Sequence, residues 1–98
     1  MTRYRVLAWD GIPAQVKVQE EGRKAISVEM PKWFIEHIDR VAMRKGLHGS
    51  DEYLERWQWS DYREAEGSSE QVAASVVSEL EAEWEPVRRR WLAGEDDD

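Results

Sequence analysis

Two histidines are the residues of this chain best suited by type to acid–base catalysis or metal binding. His37 and Asp39 lie two positions apart, and two such residues on a helix do not share a face, so Asp39 is poorly placed to orient the imidazole. His48 follows Gly46-Leu47 in a predicted loop. The spacing predicts no catalytic residue, no metal site and no cofactor, although an enzyme whose site is assembled from distant residues stays open as an alternative.

Carboxylates are frequent, but they occur in runs that water solvates. The runs are Asp51-Glu52, the alternating glutamates from Glu79 to Glu85, and the terminal aspartates from 96 to 98. Paired carboxylates used in acid–base catalysis need one member out of water. The terminal run also lacks the alternating ligands and the central glycine of a calcium loop. These residues are therefore interpreted as solvated surface.

Six tryptophans in 98 residues, without a single cysteine, are the main anomaly of composition. The absence of cysteine excludes disulfides and thiolate-bound metals or clusters. Large indoles are usually buried, yet Trp, Tyr and Arg are also enriched at protein interfaces. The predicted interaction residues are Trp9, Arg56, Trp57, Trp59 and Tyr62. Whether the Trp57–Trp59 pair lies in the core or at an interface is left open.

Charge is unevenly distributed along the chain, whose net charge is −7. Residues 1–49 contain nine Lys/Arg and six Asp/Glu, whereas residues 50–98 contain five and fifteen, which gives +3 and −10. An acidic surface disfavours phosphate backbones. The acidic half either serves solubility, offers a surface to a basic protein partner, or pairs with the first half of a second copy in a homo-oligomer. We therefore expect a protein partner or a homo-oligomer and no nucleic acid, and the lack of a long apolar run predicts no membrane contact.

The first half of the chain predicts a meander of strands followed by a helix. Residues 3–9, 14–19 and 24–30 alternate between apolar and polar side chains, with short turns between them. Pro31 then opens a helix whose apolar residues recur at helical spacing as far as Lys45, with Gly46 placed to end it.

The second half predicts helices around one extended segment. Ser50 is placed to cap a short helix. Residues 57–59 either end that helix or, as the alternation of the two indoles favours, form an extended segment reaching toward Tyr62. Ser68 and Gln71 form a capping box for a helix over 69–84, with Trp84 on its apolar stripe. Pro86 is expected to break or kink this helix near Glu85, because proline lacks an N–H and clashes with the preceding turn.

Strands followed by helices predict an α+β fold. The expected architecture is an antiparallel three- to four-stranded sheet covered on one face by the helices over 31–45 and 69–84, a two-layer sandwich. Residues 1–94 are expected to form one domain, and 95–98 a frayed acidic tail. No segment has the pattern of a signal peptide or of a membrane span, so a cytoplasmic location is expected.

One alternative is a DNA-binding regulator. Residues 24–57 resemble a ribbon-helix-helix protein, with a strand ending in Met30-Pro31, a helix, and a Ser-capped second helix. The resemblance implies that Ala25, Ser27 and Glu29 read bases, which is a poor set for an acidic chain. The two preceding strands are also expected to pair with this ribbon and leave no free edge for a dimer.

A second resemblance covers about residues 3–84. It is carried by Arg3-Tyr4-Arg5-Val6 with Trp9, Ile12-Pro13-Ala14-Gln15-Val16, Val28-x-Met30-Pro31, Ala42-Met43-x-x-Gly46-Leu47, Gly49-Ser50-Asp51-x-Tyr53-Leu54 and Trp57-x-Trp59. These motifs resemble a small bacterial domain family called "virulence factor", which brings no established catalytic residues. In some bacteria a similar domain is joined to an iron–sulfur-carrier-like module and helical repeats. The resemblance implies an accessory or adaptor role. Together with the lack of a catalytic motif, it leads us to expect an accessory-subunit or protein-interaction module without catalytic activity.

Overall fold

The computed structural model describes residues 1–47 and 49–94, so His48 and the predicted tail over 95–98 lie outside the described residues. The elements, in chain order, are β1 (Thr2–Trp9), β2 (Ile12–Glu20), β3 (Ile26–Glu29), α1 (Lys32–Arg44), α2 (Asp51–Glu55), β4 (Trp57–Trp59), β5 (Arg63–Ala65) and α3 (Ser69–Leu92). The predicted α+β class is confirmed, and the predicted extended segment after α2 is present as β4.

The five strands form one antiparallel sheet in the order β3-β2-β1-β4, with β5 also pairing with β1. The predicted meander of the first three strands is confirmed. The sheet has one strand more than the largest number expected, because the chain after β4 returns to β1 as β5. β3 pairs only with β2, so the expectation that its edges would all be occupied is wrong among the described strands.

The inner face of the sheet is covered by α1 and α3. Val16 and Val18 are fully buried, and they pack against Trp33 and Phe34 of α1 and against Val72 of α3. Burying such side chains contributes about 1.5–3 kcal/mol each, which explains why the amphipathic helices lie on this face. The predicted two-layer arrangement is therefore present.

A second buried cluster closes one end of the sheet around Trp9. It contains Ile12 and Ala14 of β2 with Ile38 and Ala42 of α1. The β1–β2 register shifts between Leu7 and Ala8. Such bulges increase the local twist of a strand pair. Beyond this bulge Trp9 is buried, although it shares the strand parity of Arg3 and Arg5.

The capped starts of α2 and α3 agree with their prediction. Ser50 Oγ accepts a hydrogen bond from the Tyr53 N–H at 3.2 Å. Ser68 and Gln71 form both bonds of the capping box, at 3.2 Å and 3.0 Å.

Of the break or kink predicted near Glu85, the break is wrong. α3 continues through Pro86 to Leu92. Proline removes one hydrogen bond, but its fixed φ is compatible with a helix. Trp84, Val87 and Trp91 pack against the core on both sides of Pro86, and this burial keeps the two halves in one helix.

Candidate functional site

The face of the sheet opposite α1 and α3 is polar and carries two exposed aromatic rings. We call Arg3, Arg5, Lys17, Trp59 and Tyr62 the outer face. Side chains alternate along a strand, so the burial of Val16 and Val18 against the helices places Lys17 on the opposite side. Lys17 lies opposite Arg5 in the β1–β2 register. The rings of Trp59 and Tyr62 contact the side chains of Arg3 and Arg5 on the same side of the sheet.

The arginines of β1 stack on the aromatic rings. The guanidinium carbon of Arg3 lies 4.5 Å from the centroid of the Tyr62 ring. That of Arg5 lies 4.4 Å from the centroid of Trp59 and 4.8 Å from that of Tyr62. Both rings keep 38% of their surface exposed. These are cation–π contacts, and they hold the guanidinium groups at defined positions on an accessible surface.

Backbone pairing explains why these rings reach β1. Ser60 donates its N–H to the Val6 carbonyl at 2.9 Å, and its Oγ accepts the Val6 N–H at 2.9 Å. This pair of bonds fixes β4 beside β1 with Trp59 opposite Leu7. Arg63 of β5 then lies opposite Tyr4. Tyr62 is therefore held between the two short strands, next to the arginines of β1.

Among the described residues, the three cations of the outer face form no ion pair. Within residues 1–47 and 49–94, no carboxylate oxygen lies within 4.0 Å of the charged nitrogens of Arg3, Arg5 or Lys17. Nε of Arg5 is buried and has no hydrogen-bond acceptor in this part of the chain. The outer face thus presents positive charge on a protein whose net charge is −7.

Arg56 was predicted to be an interaction residue, and the structure places it in an ion-pair network instead of on the outer face. Its guanidinium lies 2.6 Å from Glu52 and 3.1 Å from Asp10, which also pairs with Lys45 at 3.1 Å. The hydrogen bond to Glu52, opposed by desolvation and aided by the charge of Asp10, raises the pKa of Arg56. The network joins α2 to the β1–β2 turn.

Trp9 was also predicted to contact a partner, but it is fully buried. Its indole N–H donates to the Tyr53 carbonyl at 2.8 Å, and the two rings lie 5.5 Å apart. The indole ring is therefore packed inside the protein, and its N–H has a hydrogen-bond acceptor there. In this structure Trp9 is a core residue that joins β1 to α2, and it is not accessible to a partner.

Trp57 and Trp59 have the same strand parity but different surroundings. Trp57 lies opposite Trp9, packs against the second buried cluster, and its ring is 6.3 Å from Tyr53. Trp59 lies opposite Leu7 and remains exposed beside Arg5. Of the five predicted interaction residues, the structure brings Trp59 and Tyr62 together on the outer face and leaves Trp57 half-buried.

Sequence reasoning missed the three cations of this surface. The signal was present, because Arg3 and Arg5 are two positions apart in a predicted strand and Lys17 lies in the alternating segment that follows. The sequence did not predict that Arg5 lies opposite Lys17, or that Tyr62 lies next to β1. Both follow from the register of the folded sheet.

His37 lies in the layer between α1 and α3. Its ring stacks on Trp33 at 5.1 Å with an interplanar angle of 6°, and it meets Trp84 edge-on at 6.0 Å. A groove of about 270 Å³ between these helices is lined by Pro31, Trp33, Phe34, Glu81, Trp84, Glu85 and Arg88. Among the described residues, no group of three or more His, Cys, Asp or Glu is arranged to hold a metal ion.

Comparison with known families identifies the chain. The family model described as "Virulence factor" matches residues 7–92, most of the sequence. The chain belongs to the Virulence factor family. The match confirms the resemblance predicted from the sequence motifs and extends it to the end of α3.

The range matched by the Virulence factor model includes three residues of the outer face, Lys17, Trp59 and Tyr62. Arg3 and Arg5 precede this range. Neither the curated proteins nor the solved structures compared with this chain gave a match. In the part of this family member that the structure describes, no helix has the length and apolar character required to cross a membrane.

Proposed function

We propose that this Virulence factor family member is a non-catalytic cytoplasmic interaction module, an accessory subunit that binds a protein partner through its outer face. The observation that supports this most directly is the stacking of Arg3 and Arg5 on the exposed rings of Trp59 and Tyr62. Trp, Tyr and Arg are the residues that most often dominate binding energy at protein interfaces.

The placement of this surface on paired strands supports the same proposal. The arginines project from a central strand. Trp59 belongs to β4 and Tyr62 lies between β4 and β5, and both of these strands pair with β1. Side chains already ordered before binding lose less conformational entropy when a partner docks. A tryptophan or tyrosine buried at an interface also removes a large apolar area from water. The outer face therefore combines apolar area, charge and preorganisation.

A photo-crosslinking experiment tests the proposal. We replace Tyr62 by the photoreactive p-benzoylphenylalanine and, as a matched control, replace Ile35 of α1 in the same way. The two positions have similar exposure, 38% and 40%. Irradiation in cells of the source organism is expected to give a discrete protein adduct at position 62 that is absent at position 35.

A double variant makes the assignment specific. Arg3→Ser combined with Arg5→Ser is expected to remove the adduct at position 62, because the arginines are part of the same contact surface. The proposal is contradicted if both crosslinker positions give the same adducts, or if position 62 gives none. An adduct of twice the chain mass identifies the partner as a second copy.

A further inference from the structure

We infer that the outer face binds an acidic segment of the partner protein, whose aspartate or glutamate side chains lie against Arg3, Arg5 and Lys17. This inference rests on the proposed function and adds the chemistry of the partner. It starts from the charge arrangement of the sheet: two cations occupy opposed register positions on one face.

Arg5 and Lys17 are directly opposed in adjacent antiparallel strands. Such like-charge pairs are unfavourable. Arg3 lies two residues from Arg5 on the same face, and no carboxylate of the described residues lies within 4.0 Å of these three cations. A bound carboxylate relieves the repulsion between the cations. Binding an anion therefore releases more free energy here than at a surface whose cations are already paired.

The stacking geometry suits a carboxylate in particular. In a cation–π contact the guanidinium uses its flat face against the ring, and its N–H donors remain in the plane at the edge. Arginine and carboxylate pair through two parallel hydrogen bonds in that plane. Trp59 and Tyr62 therefore hold the arginines without occupying the donors that an acidic side chain needs.

The limits of the positive area favour a short acidic segment over a long polyanion. Glu64 lies opposite Arg3 on β5, and Glu29 lies opposite Gln15 on β3, and both are exposed. These carboxylates flank the cations on two sides. A few acidic side chains fit between them, whereas a nucleic-acid strand would carry its phosphates onto Glu64 or Glu29.

Face-to-face pairing of two copies is disfavoured by the same charges. A two-fold axis through the outer face would bring Arg3 and Arg5 of one copy against the cations of the other. Like charges juxtaposed across an interface oppose association. The occupant is therefore a segment of opposite charge from another protein.

Fluorescence anisotropy with three labelled probes tests the inference on the full chain. The probes are a short peptide of glutamate and glycine, the matched peptide of glutamine and glycine, and a thymidine oligonucleotide of the same length. The glutamate peptide is expected to bind at least about tenfold more tightly than the glutamine peptide, with affinity that falls as salt is added. Equal binding of the two peptides, or binding of neither, overturns the inference.

Five variants separate a binding role from a structural one. Arg5→Gln and Lys17→Gln are each expected to weaken binding of the glutamate peptide about fivefold or more, whereas Ile35→Gln leaves it unchanged. Tyr62→Leu is expected to weaken it and Tyr62→Phe to retain it, because the ring positions the guanidinium groups. Equal loss with Leu and Phe contradicts the stacking argument.

The outcomes also distinguish this inference from the proposed function. Crosslinking at position 62 could give an adduct that depends on the arginines while the glutamate peptide does not bind. In that case the inference of an acidic segment is wrong, and the proposal that the outer face binds a protein stands. If the oligonucleotide binds more tightly than the glutamate peptide, the ligand is a nucleic acid and the inference is overturned. If crosslinking fails as well, the proposed function is wrong too.

Discussion

Arg5 and Lys17 lie directly opposite each other on β1 and β2, and neither is within 4.0 Å of a carboxylate among the described residues. Like charges at directly opposed strand positions are unfavourable, so we expect this pairing to destabilise the free protein. Replacement of Lys17 by glutamate creates an opposite-charge pair at the same register position. We expect Lys17→Glu to raise the free energy of unfolding by about 0.2–1 kcal/mol, measured by urea denaturation. Its affinity for an acidic partner should fall at the same time.

Lys24→Glu is the matched control for this change. It alters net charge by the same amount, and Lys24 is exposed in the loop before β3. We expect its effect on stability to be much smaller. Equal stabilisation by the two variants would attribute the gain to net charge and not to the Arg5–Lys17 pair.

Trp9 and Trp59 should respond to truncation in opposite ways. Trp9 is fully buried and donates a hydrogen bond to Tyr53, so Trp9→Ala should lower the free energy of unfolding by about 3–5 kcal/mol. Trp59 is exposed, and Trp59→Ala should lower the free energy of unfolding by about 1 kcal/mol or less. The same change should remove binding of a partner at the outer face. Chemical denaturation and crosslinking at position 62 measure the two effects. Comparable losses of stability would contradict the assignment of Trp59 to the surface.

Trp9→Phe provides a milder test of the same buried site. Phenylalanine keeps an aromatic ring but lacks the N–H that satisfies the Tyr53 carbonyl. Loss of that buried hydrogen bond should cost about 1–3 kcal/mol. A variant as stable as the wild type would show that the Tyr53 carbonyl finds another donor.

Glu20 should make stability depend on acid pH. Its carboxylate accepts hydrogen bonds from the Ser69 N–H at 2.9 Å and from Ser69 Oγ at 3.1 Å, at the start of α3. The backbone bond is the main cause that lowers the pKa of Glu20 below its usual 4.5, with a smaller contribution from the charge of Arg23. A lowered pKa in the folded state stabilises the protein above pH 4.5, and this stabilisation disappears as the pH falls through the folded value.

Glu20→Gln should therefore lower Tm at neutral pH, and the difference from the wild type should shrink as the solution is acidified below pH 4.5. Thermal unfolding followed by circular dichroism over this range measures it. Glu66→Gln, at an exposed position without a hydrogen bond or ion pair to the described residues, is the control. A difference between wild type and Glu20→Gln that is constant with pH would contradict the role of the charged carboxylate.

Pro86 lies inside α3 and costs the helix one backbone hydrogen bond. Pro86→Ala restores an N–H donor for the Ala82 carbonyl, and we expect it to raise the free energy of unfolding by about 1–3 kcal/mol. Ser78 is exposed on the same helix, and Ser78→Ala should raise the free energy of unfolding by only about 0.5 kcal/mol, through the higher helix propensity of alanine. A decrease in stability with Pro86→Ala would show that the proline shapes the packing of Trp84 and Trp91.

Local patterns predicted the elements of this fold well. The alternation in residues 14–19, the Ser50 cap and the Ser68–Gln71 capping box each depend on residues a few positions apart. Their structures match because neighbours in the chain supply the hydrogen bonds and the periodic apolar face. The family motifs are equally local, and the match over residues 7–92 agrees with them.

Pro86 shows where local rules were insufficient. A proline in a helix predicts a break when only the neighbouring turns are considered. In the structure the side chains of Trp84, Val87 and Trp91 are packed against the core on both sides of it. The burial that outweighs the missing hydrogen bond comes from residues distant in the chain, which no local pattern contains.

The sequence by itself determined the alternating strands, the capped helices, the apolar helix stripe and the acidic second half. Only the tertiary structure decided that Trp57 packs inside while Trp59, of the same parity, stays exposed beside Arg5. Parity states which residues share a side of a strand. Which part of that side is covered depends on where α1 and α2 dock, on the bulge in the β1–β2 register, and on the return of Tyr62 to β1.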